Sequence, residues 1–302
     1  MRFGPERCRP RVESLEDRTL PAVTRIVLDF TPDTKIRKLF FDAVRRDFAD
    51  TFKLRDPAGH VLPFLDFNGD GKTDDSDALL AANAIVAKVQ SYFDPFASEH
   101  VTVVARDVLH QTNAGVAELR RGLASRRLQT FVNYVGGFST DLGVFGESFQ
   151  APAGRNNESY SRIFPETIAG MFINQQPPAT PTDFVNFVGS TIAHETGHLL
   201  GLGHPHPDNT DKTNVMDSSA DGKADSFLDR SIPANVFLRA SDFATTMQSQ
   251  NDFADLRASF AGQRSLPAPR LFVLPRPPQP PVVRQPKHPA AAATLYGRPD
   301  SP

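Results

Sequence analysis

Hydrophobic and polar positions follow two different periods along this chain, and each period predicts one kind of secondary structure. Residues 24–30 alternate and are rich in β-branched side chains, which is typical of a strand. Residues 101–104 and 130–135 predict two further strands in the same way. Residues 166–174 predict a short strand, whereas residues 138–162, rich in Gly, Ser and Asn, predict a surface loop.

Apolar residues at helical spacing predict where the helices lie. This spacing occupies residues 34–52, residues 77–93 and residues 241–260, where it indicates one or two closing helices. Another helix should begin at Thr180, because threonine is a good N-cap and a proline follows at the first helical position. Its apolar positions within 184–192 should pack into the core.

The composition limits the classes of function. The chain has 302 residues and is 39% hydrophobic, which suffices for one substantial core with appendages. A formal net charge of −2 gives no electrostatic reason to expect nucleic acid or an anionic membrane as a partner. No apolar run reaches about eighteen residues, so we expect no membrane insertion. The single cysteine excludes an internal disulfide, and we expect a monomer.

The two ends of the chain differ from the rest in composition. Residues 1–22 are rich in Arg, Glu and Pro and lack the apolar core of a signal peptide, which predicts a disordered leader. Residues 263–302 are rich in Pro and Arg, which predicts a disordered tail. Residues 15–20 resemble L-E-x-R-x-L, a short motif of some bacterial surface and exported proteins. That resemblance implies a secreted or cell-surface location in a bacterium.

The strongest chemical signal is H-E-x-x-H-x-x-G-x-x-H, which begins at His194. On a helix, His194 and His198 lie on the same face, so both can bind one metal ion. Glu195 can direct its carboxylate at a water in the open coordination position. Gly201 can end the helix in a left-handed conformation, so that His204 supplies a third ligand. Three histidines with one open position are typical of catalytic zinc.

This segment is similar to the metzincin zinc endopeptidases, and Gly-Leu-Gly-His at 201–204 is most similar to their matrixin-like branch. The family also has a methionine in a turn beneath the metal, which Met216 in Asn-Val-Met-Asp matches. The resemblance implies an α+β fold over residues 23–262, with a twisted mixed sheet, a long backing helix and an active-site helix. It implies that the three histidines bind zinc and that Glu195 is the catalytic base.

Several details of this resemblance leave alternatives open. Pro205 is shared with the serralysin branch, but the tyrosine of that branch is Ser218 here, so the branch is not assigned. His206 competes with His204 for the third ligand position, although the spacing favours His204. Cys8 is similar to the thiol of the matrixin inhibitory segment, but the Gly and Asp that follow in that segment are missing.

Residues 66–77 have the spacing of an EF-hand calcium loop, with glycine at position six for the sharp turn. The expected oxygen ligands are Asp66, Asn68, Asp70, the carbonyl of Lys72, Asp74 and Asp77. Asp at position twelve makes the loop similar to those of dockerin modules, which carry two such loops. We expect a structural Ca²⁺ that braces the start of the helix at 77–93. Residues 217–229 repeat the pattern less well, so they are either a second calcium site or a loop lining the specificity pocket.

The expected function is zinc-dependent hydrolysis of peptide bonds, in which Glu195 activates a zinc-bound water. By the family resemblance, the strand at 166–174 is the sheet edge that pairs with an extended protein or peptide substrate. Two other classes stay open: a calcium-dependent surface or scaffold protein with a vestigial zinc site, and a zinc hydrolase that acts on other substrates.

Overall fold

The computed structural model describes residues 23–30, 43–44, 46–106, 128–140, 143–149, 159–205, 213–217, 226–227, 232–237 and 245–260. Its architecture is α+β, as predicted, with a mixed sheet and several helices. Several predictions fall outside the described residues: the leader at 1–22, the tail at 263–302, Cys8, His206 and most of residues 217–229.

A five-stranded sheet forms the centre of the fold. Across the sheet, the strands are β3 (Val101–Arg106), β1 (Val23–Asp29), β4 (Leu128–Val135), β7 (Ser159–Ile163) and β6 (Gly146–Phe149). The first four run parallel, and β6 pairs antiparallel with β7 at one edge. The predicted strands that became β1, β3 and β4 are confirmed.

Two smaller sheets accompany the central one. The first pairs β2 (Ala43–Val44) with β5 (Phe138–Ser139). The second is antiparallel and joins β8 (His204–Pro205), β9 (Ile232–Phe237) and β10 (Thr245–Gln250), with β9 in the centre. The strand that contains His204 therefore belongs to a sheet built by the C-terminal part of the chain.

Four α-helices lie in the described residues: α1 (Asp75–Phe93), α2 (Pro165–Phe172), α3 (Pro181–Leu199) and α4 (Asp252–Phe260). The two long helices, α1 and α3, pack against each other and against the central sheet. None of the described helices combines the length and the apolar character needed to cross a membrane.

The predicted start of α3 is confirmed by its hydrogen bonds. The hydroxyl of Thr180 accepts from the backbone N–H of Asp183 at 3.2 Å, and the Asp183 carboxylate accepts from the N–H of Thr180 at 2.9 Å. This reciprocal pair satisfies two donors that the helix itself leaves without partners. Pro181 occupies the first helical position, where its missing N–H has no consequence.

Phenylalanines fix α3 against the rest of the core. Phe184 is fully buried and lies edge-on to Phe52, with ring centroids 6.5 Å apart. One turn further along, Phe187 packs edge-on against Phe145 at 5.1 Å and Phe172 at 5.8 Å. Because aromatic side chains bury large apolar areas, these contacts restrict the helix that carries His194 and His198.

The predicted strand at 166–174 is wrong, because residues 165–172 form α2. Pro165 begins this helix, and Ile168, Ala169 and Phe172 are buried at spacings of one helical face. A short apolar run fits both periods, so the sequence pattern alone did not separate the two structures. The edges of the central sheet lie elsewhere: in the described residues, its terminal strands are β3 and β6.

Two further expectations are corrected. The predicted loop at 138–162 contains β5, β6 and most of β7, and polar residues of these strands such as Ser148 and Ser161 are buried. The predicted helix at 34–52 is not continuous, because residues 43–44 form β2 and Phe48–Lys53 form a 3-10 helix. Within the range 241–260, where one or two helices were expected, the described residues form β10 at 245–250 and a helix, α4, at 252–260.

Candidate metal centre

Three histidine side chains converge where α3 ends and β8 begins. The Nε2 atom of His198 lies 3.0 Å from Nε2 of His194 and 3.0 Å from Nε2 of His204. The remaining pair, His194 and His204, is separated by 3.1 Å. In the described part of the chain, these histidines are the only group of three or more His, Cys, Asp or Glu side chains placed to share one ion.

Backbone carbonyls determine which ring nitrogens face one another. Nδ1 of His194 lies 2.8 Å from the carbonyl oxygen of Val215, and Nδ1 of His198 lies 2.9 Å from that of Leu202. A carbonyl only accepts hydrogen bonds, so each Nδ1 must be the donor. A neutral imidazole that donates through Nδ1 has a bare lone pair at Nε2. Two bare lone pairs are therefore directed toward one point.

Burial and mutual proximity keep these imidazoles neutral. Burial lowers the pKa of His194, and it lowers the pKa of His198 well below the ordinary value of 6.5, with the two neighbouring histidines adding to that effect. Burial also lowers the pKa of His204 to about 3. The negative charge of Asp217 acts in the opposite direction on His194 and His204. An anion beside three neutral donors favours a cation at this point.

The donor set fits a divalent metal ion. Three nitrogens separated by 3.0–3.1 Å can each lie at about 2.0–2.1 Å from one cation, the usual Zn–N distance. No hydrogen bond can join Nε2 of His194 to Nε2 of His198, because neither atom carries a hydrogen, whereas one cation could accept a lone pair from each. The second nitrogens of these two rings are also held by carbonyls, as in established metal sites.

The turn after α3 brings His204 back to the other two histidines. Gly201 has a φ of +93°, the left-handed conformation expected from the sequence. Its N–H donates to the carbonyl of His198 at 2.9 Å, and the N–H of Leu202 donates to the carbonyl of Gly197 at 2.9 Å. This pair of bonds is a Schellman motif, which ends the helix and reverses the chain.

A tight turn containing Met216 lies directly against α3. The N–H of Asp217 donates to the carbonyl of Asn214 at 2.9 Å, and the Asn214 side chain accepts from the N–H of Met216 at 2.8 Å. Met216 is fully buried, and its thioether lies where a side chain on Gly197 would point. The turn also presents the Val215 carbonyl to His194, so it orients a histidine as well as packing beneath the helix.

Glu195 is buried between α3 and β6. Its carboxylate accepts a short hydrogen bond from the hydroxyl of Ser148, and a Cβ on Gly146 would lie 2.8 Å from its Cγ. Burial raises the pKa of Glu195 to about 8, the Ser148 hydrogen bond opposes the rise, and the charge of Glu147 adds to it. Carboxyl groups with raised pKa values are frequent in active sites.

The predicted calcium loop forms the expected turns, with positive φ angles at Gly69 and Gly71. Its side chains bind the loop backbone. The Asp66 carboxylate accepts from the N–H groups of Gly69, Asp70 and Gly71. Asp77 is fully buried and accepts from the N–H groups of Phe67 and Asn68 at 2.8 and 3.1 Å. The structure does not bring three carboxylates of the loop to one point.

The remaining predicted ligands of this loop continue the same pattern. Asn68 accepts from the N–H of Asp70 at 2.9 Å, and Asp70 accepts from the N–H of Lys72 at 2.9 Å. Asp74 caps α1, because its carboxylate accepts from the N–H of Ser76 at 2.8 Å. The loop therefore prepares the start of α1 through hydrogen bonds of its own.

Three residues around the candidate metal centre were not predicted from the sequence. Ser148 and Gly146 lie on β6, which the sequence pattern did not identify as a strand. Gln250 binds the backbone of Gly203, and 47 positions separate the two residues. A glutamine or serine in a polar stretch carries no local signal, so only the folded arrangement reveals these contacts.

Replacing Gly197 by alanine should destabilise the protein. The added Cβ would collide with the buried Met216 thioether, and overpacking of this kind costs about 1–3 kcal/mol, against a gain of about 1 kcal/mol in helix propensity. Gly170→Ala is the matched control, because this exposed glycine in α2 has no atom near the position of the new Cβ. Denaturant unfolding should show a lower free energy of unfolding for Gly197→Ala and a higher one for Gly170→Ala than for the wild type. Equal gains would contradict the described packing of Met216.

The metal-free protein should be most stable near neutral pH. Below 6.5, the unfolded chain protonates histidines that stay neutral in the fold, so stability falls as the pH falls. Glu195 acts oppositely: its raised pKa stabilises the fold at low pH, and that contribution is lost as the pH rises from 4.5 toward about 8. Below pH 6.5, the loss of stability caused by the three imidazoles exceeds the gain contributed by the one carboxyl.

This dependence can be measured as the free energy of unfolding with a chelator present, at several pH values between about 5 and 8. Glu195→Gln should reduce the decline in stability on the alkaline side and steepen the acid limb between pH 4.5 and 6.5, where the wild-type carboxyl opposes the histidines. A variant whose alkaline limb matches that of the wild type would show that Glu195 does not hold a proton in the metal-free fold.

Comparisons with known proteins add little to this description. No protein-family model matches the sequence, and no curated protein matches it. Among solved structures, the chain is similar to one described as "GM1 bound form of the ECX AB5 holotoxin", with 12% identity and a TM-score of 0.29. The match covers 80% of this chain and 80% of that chain. A TM-score this low does not indicate a common fold.

Proposed function

We propose that this protein is a zinc-dependent endopeptidase of the metzincin type. The observation that carries the proposal is the convergence of three histidine Nε2 atoms at the end of α3, the helix that also carries the buried carboxyl of Glu195. The Schellman turn at Gly201 and the methionine turn at Met216 support it, because both occur where the metzincin resemblance requires them. The branch of the family stays open.

Zinc suits this site better than magnesium or calcium. Neutral imidazoles are typical ligands of zinc, and magnesium or calcium would prefer oxygen. His194, His198 and His204 would hold the ion, which would supply Lewis acidity and lower the pKa of a coordinated water when bound. Three protein ligands leave a coordination position open, and this distinguishes a catalytic site from a structural one.

Glu195 is the group that moves protons in this proposal. A nearby dication favours the ionised carboxylate, so the raised pKa of the metal-free site would fall when the metal binds. The carboxylate then accepts a proton from the attacking water and returns it to the leaving amine. The Ser148 hydroxyl donates to one carboxylate oxygen and restricts its rotation. The other oxygen, Oε1, lies near Gly146 at the start of β6.

Strand β6 supports a peptide as the substrate. It ends the central sheet in the described residues and passes directly beside Glu195. An extended peptide can add to such an edge through backbone hydrogen bonds, which would hold a scissile bond next to the base. This role was expected for residues 166–174, and β6 takes their place in the proposal. A location outside the bacterial cytoplasm stays a prediction.

Calcium binding by residues 66–77 also stays a prediction, based on the spacing of oxygen ligands in the sequence. The structure shows how the loop is stabilised by its own hydrogen bonds, which neither require an ion nor prevent one from binding.

Glu195→Gln should retain one zinc per chain and lose about two to four orders of magnitude in peptide hydrolysis. Glutamine keeps the shape and can still accept from Ser148, but it cannot take a proton. Zinc content and cleavage of a mixed peptide library would be measured together. Glu166→Gln is the matched control, because Glu166 is another buried carboxyl with a raised pKa, and it lies on α2, where it pairs with Arg46.

The outcomes of this experiment separate the hypotheses. Cleavage by the wild type and by the Glu166 variant alone would support the assigned base. Turnover retained by zinc-loaded Glu195→Gln would reject that assignment. One zinc in every variant without any cleavage would favour the scaffold protein with a vestigial site, and absence of zinc would contradict the whole proposal.

Calcium should raise the melting temperature of the wild type if residues 66–77 bind it. At about a hundredfold excess over its Kd, the gain in stability would be about 2.7 kcal/mol. Asp70→Asn should remove the gain, since it removes a charge while an amide oxygen can still accept from Lys72. Asp56→Asn, in a similar exposed turn outside the loop, should retain it. A wild type indifferent to calcium would show that hydrogen bonds alone hold the loop.

A further inference from the structure

Gln250 ends β10, is buried, and reaches the residue that precedes His204. Its side-chain oxygen accepts from the backbone N–H of Gly203 at 2.7 Å. Its side-chain nitrogen donates to the carbonyl of Gly203 at 3.1 Å and to the carboxylate of Asp252 at 2.7 Å. One amide thus holds both backbone groups of a single buried residue, and both of its N–H donors have acceptors.

Asp252 determines the orientation of this amide. A carboxylate only accepts hydrogen bonds, so it must face the nitrogen of Gln250 and not the oxygen. Asp252 is fully buried at the first position of α4, where the Asn251 side chain caps the helix by accepting from the N–H of Ala254 at 2.8 Å. The direction of the Gln250 amide is therefore fixed by the start of α4.

The position of His204 depends on a contact to its neighbouring backbone, like that of Gln250 with Gly203, more than the positions of His194 and His198 do. His194 and His198 share a helix, and a carbonyl holds Nδ1 of each. Within the described residues, the structure shows no such carbonyl for Nδ1 of His204. Its strand, β8, has only two residues and pairs with β9. The position of His204 is thus set through its backbone, at β9 and at Gly203.

We propose that Gln250 is a positioning residue for the metal ligand His204, and that Asp252 sets the orientation of the Gln250 amide. Tight metal binding requires that the protein hold every ligand within about 0.5 Å of its binding geometry. The two hydrogen bonds from Gln250 to the backbone of Gly203 restrain His204, the ligand that does not lie on α3. The proposal rests on the metal-binding part of the proposed function and does not depend on whether the substrate is a peptide.

The test measures zinc affinity of the full chain by competition with a chromophoric chelator. Gln250→Met keeps the size of the side chain and removes its three hydrogen bonds, and it should weaken zinc binding about 10–100-fold. Gln90→Met is the matched control. Gln90 also accepts from a backbone N–H, that of Val103, and donates to an aspartate, Asp94, but it lies on α1. This control should leave zinc affinity unchanged.

A double-mutant cycle separates positioning from a general effect on the fold. If Gln250 acts through His204, then Gln250→Met should cause no further loss of zinc affinity in a His204→Ala background. The absorption spectrum of the cobalt-substituted protein should also change in Gln250→Met and stay unchanged in Gln90→Met, because it reports the geometry of the ligands. An equal loss with and without His204, or no loss at all, would overturn the proposal.

A second pair of variants tests the proposal if Gln250→Met does not fold. Gln250→Glu places a second buried carboxylate against that of Asp252, and the two repel each other. Adding Asp252→Asn supplies an N–H donor, so a hydrogen bond between the two side chains can form again. The double variant should bind zinc more tightly than Gln250→Glu alone, and failure of this rescue would contradict the role of Asp252. A wild type that binds zinc but cleaves no peptide would refute the proposed function, while the affinities would still decide the role of Gln250.

Discussion

Bare imidazole nitrogens directed at one point repel one another unless a cation lies between them, and the arrangement of this protein depends on that constraint. The carbonyls of Val215 and Leu202 hold Nδ1 of His194 and His198, which leaves their Nε2 lone pairs facing each other at 3.0 Å. Keeping such groups together in the fold requires support from rigid neighbours. The surrounding contacts are best understood as that support.

The support comes from two parts of the chain that meet at α3. The central sheet contributes β6, whose Ser148 and Gly146 enclose the carboxyl of Glu195. The C-terminal part contributes the turn that contains Met216, which packs against α3, and the strands around His204. A cluster of phenylalanine rings joins α4 to the end of α1 and includes Phe227. Glu195 is thus oriented by one part of the chain and His204 by the other.

The acidic loop before α1 illustrates the difference between a sequence pattern and a site. Its oxygens occur at calcium-ligand spacing, yet in the structure Asp66 and Asp77 accept hydrogen bonds from backbone N–H groups of the loop. Both arrangements use the same glycine turns and the same acceptor atoms. Spacing along the chain therefore establishes that the turn can form, while occupancy by an ion is a separate question of affinity.

The sequence by itself determined the features that depend on residues close together in the chain. These are the start of α3 at Thr180, the reversal at Gly201, the grouping of three histidines and the strands β1, β3 and β4. Local spacing, capping and glycine conformation suffice for them. The tertiary structure alone decided that residues 165–172 are a helix, that β6 lies beside Glu195 and that Gln250 holds Gly203. Each of these depends on partners distant in sequence, whose burial and hydrogen bonds outweigh a weak local preference.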